Sequence, residues 1–294
     1  MNEQARWWCG MLIALMMGLY LGLAIPEPSV PQAPPQPEAA AAFAVQEVEL
    51  EENLFAQPAE TPAFSIEVIR TEAPKPKRVL IYHSHTYEAF AQTEGNRYQE
   101  TEQWRTADST HNMIRVGEEL TTLLRALGVE VVHDTTAFEP PVLSTAYTRS
   151  LAMLEKRIAN GEVYDLYIDL HRDAYSASYG GSNTVSIGGA EVAKLMLLIG
   201  KGEGVTGQGY DVKPDWQKNL AIAQRITDAL NEQTNGLCRD VHIKSGRFNQ
   251  HIAPACVLVE AGNNRNTLKE VLAAMPYLAD AIEKVLEELA EGGA

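Results

Sequence analysis

Four short apolar runs limit what this chain can fold into after residue 78: VLIY at 79–82, VVH at 131–133, YIDL at 167–170 and CVLV at 256–259. Each is four to eight residues long with its flanks, and amphipathic helical text separates it from the next. Between the first two, MIRVGEELTTLLRAL sets Ile114, Leu120, Leu123, Leu124 and Leu127 on one helical face, with Gly128 as a stop. A helix start is expected at Asp108, Ser109 or Thr110. STAYTRSLAMLEKRIANG ends a second helix at Gly161, and KPDWQKNLAIAQRITDALNEQTNG predicts a third, with Pro214 in its first turn. NTLKEVLAAMPYLADAIEKVLEELA closes the chain as one helix or a pair divided near Pro276. Strands that alternate with helices predict an α/β fold, a mostly parallel twisted sheet with helices on both faces. TVSIGG and KLMLLIG read as further strands at one edge.

In such a sheet, ligand sites form beyond the carboxyl ends of the strands. Here four strand ends carry ionisable residues: His83, His85 and Glu88 after the first, Asp134 after the second, His171, Arg172 and Asp173 after the third, and Glu260 after the fourth. Parallel topology brings those ends together. Imidazoles plus a carboxylate around an open position describe a catalytic zinc site, and a further carboxylate such as Glu260 is then available to move the proton of an attacking water. The chain lacks H-E-x-x-H and a convincing G-x-S-x-G, which argues against a zincin and a serine hydrolase of the α/β type. Each residue also has a plain reading. His133 and Asp134 could close a strand, His242 and His251 could be solvated loop residues, and Glu260 could be an acid at a helix start.

The first eighty residues differ. WWCGMLIALMMGLYLGLAI at 7–25 has no charge and spans roughly 28 Å as a helix, close to a bilayer core. It reads as an uncleaved transmembrane anchor (1–25) rather than a signal peptide, since Ile25-Pro26 is a poor cleavage site. Either way, everything after residue 26 is extracytoplasmic. Residues 26–63 form a Pro/Ala/Glu-rich linker expected to be disordered, and 64–294 an extracytoplasmic catalytic domain that opens with FSIEVIR as an edge strand. A net charge of −15 argues against nucleic acid as a partner. Of three cysteines, Cys9 lies in the span, and Cys238 and Cys256 read as core thiols or a pair.

YHSHTYEAF, HNMIRVGEEL, VVHD, YIDLHRD and FNQHIAPACVLVEAGNNRNTLKE resemble, in that order, the stage II sporulation protein P family of membrane-anchored cell-wall hydrolases. More distantly, the pattern is similar to zinc-dependent N-acetylmuramoyl-L-alanine amidases. The resemblance covers about residues 79–290 and implies His85 and His171 as ligands of one zinc ion and Glu260 as general base. It implies Glu88 as third ligand, with Asp108, which stands four residues before Asn112, and His83 as competitors. Arg172 and Asp173 match the family's H-R-D and are expected behind the ligands or against substrate. Asn112, Asp134, Asn249 and Asn263 complete that supporting group. The implied activity is cleavage of the amide between N-acetylmuramic acid and L-alanine of the stem peptide, and possible cutting of cross-links, during forespore engulfment. Implied partners are peptidoglycan, a lytic transglycosylase and a polytopic membrane scaffold. Two other readings are kept open, a zinc exopeptidase using Arg172, Arg247 or Arg265 for a terminal carboxylate, and a non-catalytic wall-binding or partner-binding module.

Overall fold

The computed structural model describes residues 77–204 and 210–291, all within one compact unit at 69–294. The anchor expected at 1–25, the linker at 26–63 and the FSIEVIR strand lie outside the described residues. Among the described residues, no helix is long and apolar enough to cross a membrane.

The apolar runs become strands β1 (Arg78–Tyr82), β2 (Glu130–His133), β3 (Leu166–Asp173) and β8 (Cys256–Asn263). Strands β4 (Thr184–Ile187), β5 (Ala190–Ala193), β6 (Leu195–Gly200) and β7 (His242–Lys244) lie between β3 and β8 in sequence. Six of the eight form one sheet in the order β2-β1-β3-β8-β6-β7. All neighbours are parallel except β6 and β8, which run antiparallel with Met196 opposite Glu260. The sheet is therefore mostly parallel, as the alternation predicts, and every residue of β3 and β8 is buried.

The two remaining strands form a separate antiparallel hairpin. Its turn, Gly188-Gly189, has φ of 60° and 85°, which a primed two-residue turn needs and glycine supplies without strain. TVSI is thus not an edge of the main sheet, and LMLLIG is an inner strand rather than an edge.

Helices α1 (Met113–Ala126), α3 (Trp216–Gln233) and α4 (Leu268–Glu291) cover one face of the sheet. There Val79, Ile81, Ile168, Val257 and Leu197 meet Leu120, Ile226 and Leu278 in the main core. Helix α2 (Ala146–Ala159) packs on the other face, where Leu154 meets Leu80, Tyr82, Tyr167 and Cys256. Both faces carry helices, unequally. Cys238 and Cys256 are buried free thiols in these two different cores.

Some boundaries differ from expectation. Helix α1 starts at Met113, and Asn112 is its cap, its side chain accepting from the Ile114 N–H at 2.9 Å. Asp108 does not cap it because its carboxylate is engaged one turn earlier, by the Thr110 N–H and hydroxyl and by His111. Pro214 precedes the α3 cap, Asp215, rather than sitting in the first turn. Helix α4 runs through Pro276 as a single element.

Candidate metal centre

Beyond β1 the chain turns over residues 84–87, and the turn puts His83 and His85 in different places. The backbone N–H and hydroxyl of Ser84 both donate to Asp169, at 2.8 and 2.7 Å. Thr86 donates to the His83 carbonyl and Glu139 accepts from the Tyr87 N–H. Glu88 follows in a bridge to Arg105, whose guanidinium also holds Glu139. This fastened turn delivers His85 and Glu88 to the end of β3, where His171 stands.

The three side chains converge. Ligand atoms of His85, Glu88 and His171 all lie within 4.8 Å of one another. Glu88 Oε1 is 3.6 Å from His85 Nδ1, and its Oε2 is 3.6 Å from His171 Nδ1. Tetrahedral zinc with bonds near 2.05 Å sets its ligand atoms about 3.4 Å apart, so small adjustments admit the ion. The far nitrogen of His171, Nε2, is 2.7 Å from Asp169, which is 1 % exposed. That bond places the Nε2 proton on the carboxylate side and leaves the Nδ1 lone pair facing Glu88 and His85, the arrangement typical of metal-bound histidine.

Electrostatics agree with the geometry. Burial alone would raise the Glu88 carboxyl, but His85, His171 and Arg172 hold it down at about 2. Burial works against charge on His171, yet Asp169, Glu88 and Glu260 raise its pKa to about 9. Without a metal, that negative potential holds a second proton on His171 at Nδ1, the position a cation would take. Glu260 sits directly beside His171 in the β3–β8 register. Burial, reinforced by Glu88 and Asp173, pushes its carboxyl up to about 8, and its buried Oε2 has no hydrogen-bond partner. An orphaned carboxylate oxygen next to three converging ligands suits a group that handles a proton.

A family model described as stage II sporulation protein P matches residues 31–283. The chain belongs to the stage II sporulation protein P family. No curated protein sequence matches it significantly. Among solved structures, this family member is similar to the N-acetylmuramoyl-L-alanine amidase AmiC2 of Nostoc punctiforme, at 13% identity over 73% of this chain and 97% of that one, TM-score 0.44. It is similar to the CwlD amidase of Clostridioides difficile, solved with the GerS lipoprotein, at 14% identity, 74% and 99% coverage and TM-score 0.45. A metallo-carboxypeptidase of Burkholderia cenocepacia covers 74% of this chain and 59% of its own at 12% identity and TM-score 0.40.

In this sporulation protein several other candidates stand apart from the trio. His83 is fully buried under α1, with Nδ1 2.8 Å from the Leu170 carbonyl and Nε2 2.8 Å from His133 Nε2. Burial lowers the two rings to about 3 and about 4, so they form a neutral core pair rather than ligands. Asp108 serves its own turn and Asn112 caps α1. Asp134 is paired with Arg157 at 2.7 Å. Asn263 accepts from the Arg265 N–H in the turn before α4. Asp173 pairs with Arg239 at 2.7 Å. Arg172 reaches back to the carbonyls of Ala89 and Trp104, while its own N–H donates to Glu88 Oε2 at 3.2 Å. It therefore props the Glu88 loop. Asn249 donates to the Tyr147 carbonyl and to Ser150 Oγ.

The sequence reading overlooked Asp169, Ser84, Ser150 and Tyr147. Asp169 had a signal: an acid two residues before His171 in an apolar strand shares its face. Tyr147 had none, because an aromatic residue in a first helical turn reads as core. Its ring lies 5.3 Å from that of His85 and stacks at 6.2 Å on His171.

Proposed function

We propose that this chain is a zinc-dependent peptidoglycan hydrolase that cleaves the amide between N-acetylmuramic acid and L-alanine of the stem peptide, acting during sporulation. One observation carries the reading: the buried Glu260, with an unpartnered oxygen, stands in register beside His171 of the His85–Glu88–His171 cluster. Family membership supports the wall as target. His85, Glu88 and His171 would hold the ion, which supplies a Lewis acid that polarises the scissile carbonyl and acidifies water.

The chain's own residues do the rest. Glu260 takes a proton from the attacking water as its oxygen bonds to the carbonyl carbon. It then gives that proton to the amine nitrogen as the C–N bond breaks. Burial favours the protonated form that returns the proton, while the unpartnered oxygen is open to accept one from water. Asp169 keeps His171 in one tautomer and one orientation through both steps. The exopeptidase reading needs a guanidinium aimed at a terminal carboxylate; Arg172 has its donors on backbone carbonyls instead, and Arg247 and Arg265 lie over the rings of Tyr210 and Tyr175.

The uncharged run at 7–25 belongs to the same proposal, as a single-pass anchor with the catalytic domain outside the cytoplasm. A tether keeps a wall hydrolase at high effective concentration beside its substrate. The deciding test assays wild type and Glu260→Gln for metal content and for release of stem peptides from denuded peptidoglycan. Both proteins are expected to hold about one zinc, with release by the variant reduced at least about 100-fold. Release of single amino acids would instead establish an exopeptidase. Wild type without metal or activity would leave a binding module.

A further inference from the structure

Next to the metal ligands lies a cleft of about 290 Å³ that the proton transfers above do not use. Tyr147 belongs to both places, since its ring contacts His85 and His171 and also lines the cleft. Phe248 meets Tyr147 edge-on at 5.9 Å, and Tyr210 forms another wall with the Arg247 guanidinium over its ring at 4.4 Å. The hydroxyl residues Ser144 and Thr148 complete the lining that matters here.

The loop that carries Phe248 is held in an unusual shape. Phe248 and Asn249 have φ of 48° and 54°, two successive residues with side chains in the left-handed region. Such backbone persists where surrounding contacts over-determine it, commonly at ligand sites. Here the contacts are the two hydrogen bonds from Asn249 to the Tyr147 carbonyl and Ser150 Oγ. Ser150 in turn meets Ser84, which donates to Asp169, the partner of His171. One continuous set of hydrogen bonds therefore fixes both the aromatic wall and a metal ligand.

Rings on the walls with hydroxyls and a guanidinium between them suit a ligand that is apolar on its faces and polar around its rim. A peptide meets these groups only piecemeal, an apolar side chain serving the rings and its backbone the polar groups. A pyranose satisfies both, laying C–H faces on aromatic rings while its hydroxyl and acetamide groups meet the rim. We propose that this cleft is a saccharide subsite that takes the N-acetylated sugar bearing the scissile amide. The assignment rests on the amidase reading. It makes Tyr210 and Phe248 specificity residues whose contacts, remote from the reacting bond, hold the substrate in place.

The test uses the full zinc-loaded chain as wild type, Tyr210→Ala and Tyr210→Phe. Tyr210 is 37 % exposed, so its truncation spares the core. Two soluble substrates share the same amide, a muramoyl peptide and a D-lactoyl peptide without the sugar. Tyr210→Ala should raise KM for the muramoyl peptide about fivefold to tenfold and leave kcat/KM for the lactoyl peptide unchanged. Tyr210→Phe, which keeps the ring, should match wild type. Equal loss on both substrates, or no loss on either, overturns the subsite while the amidase reading stands. If wild type cleaves neither substrate, the amidase reading fails, and the subsite is judged by binding of N-acetylglucosamine oligomers to the same proteins. Weaker binding by Tyr210→Ala alone then supports it, and equal binding overturns it.

Discussion

Asp169 illustrates how much one buried carboxylate can organise. It receives two hydrogen bonds from Ser84 and holds the Nε2 side of His171, so it sets both the turn that carries His85 and the ring that faces it. Asn in its place keeps the shape but can present its NH2 to His171 and reverse the tautomer. Asp169→Asn should therefore lower zinc affinity by about 10- to 100-fold while the far-UV CD spectrum stays that of wild type; a competition titration with a zinc chelator reads the difference. At this scale the sequence showed where apolar runs end in ionisable residues, although His83, which follows β1 directly, turns into the core instead. His85, His171 and Glu260 could be picked out because strand ends converge. Asp134 and Asp173 end strands in the same way, yet each faces an arginine that sequence spacing does not reveal. Whether such a residue serves a site or an ion pair depends on the partner across space.

Elements decide the next level. Strand runs and helix periods were readable because burial writes a period of two or 3.6 into the chain. The hairpin at 184–193 and the direction of β6 were not, since short apolar pieces do not state their neighbours. Helix α1 adds a constraint invisible in its own pattern. A Cβ on Gly117 would lie 2.4 Å from His133 Nε2 and 2.7 Å from His83 Nε2. Alanine favours a helix over glycine by about 1 kcal/mol, but overpacking the buried His83 and half-buried His133 rings costs about 1–3 kcal/mol. Because the two rings are bonded to each other and His83 is fully buried, they have little room to yield, and Gly117→Ala should lower stability by about 1 kcal/mol, measured as the midpoint of urea unfolding.

For the molecule as a whole, the buried titratable groups set a pH of greatest stability. His83 and His133 have folded pKa values of about 3 and about 4, below the usual 6.5. Between those limits the unfolded chain binds protons that the folded one refuses, so their contribution is complete above pH 6.5 and lost as pH falls. Glu260 and His171 act in the opposite sense. Their folded values are raised to about 8 and about 9, so the folded chain binds the extra protons and stability declines as pH rises through those values. From pH 4.5 to 6.5 the two histidines outweigh the single glutamate. Each unmatched proton changes stability by about 1.4 kcal/mol per pH unit. Metal-free protein should therefore be most stable near pH 6.5, with denaturation midpoints falling on both sides. A midpoint that keeps rising from pH 6.5 to 8 would contradict this balance.

The unequal layering of the sheet has a further outcome. Among the described residues, three helices seal one face into the main core, whereas α2 alone covers the other with a small cluster around Leu154. Tyr147 and Ser150 ride on α2, but His171 and Glu260 belong to strands buried along their whole length. Amide protons in α2 should then exchange with solvent through a partial opening of lower free energy than those of β3 and β8. Such an opening would remove the aromatic neighbour of the histidines and the support behind Ser84 while the sheet stayed whole. Activity and foldedness would thus be separable in this protein, with warming silencing the centre before the sheet melts.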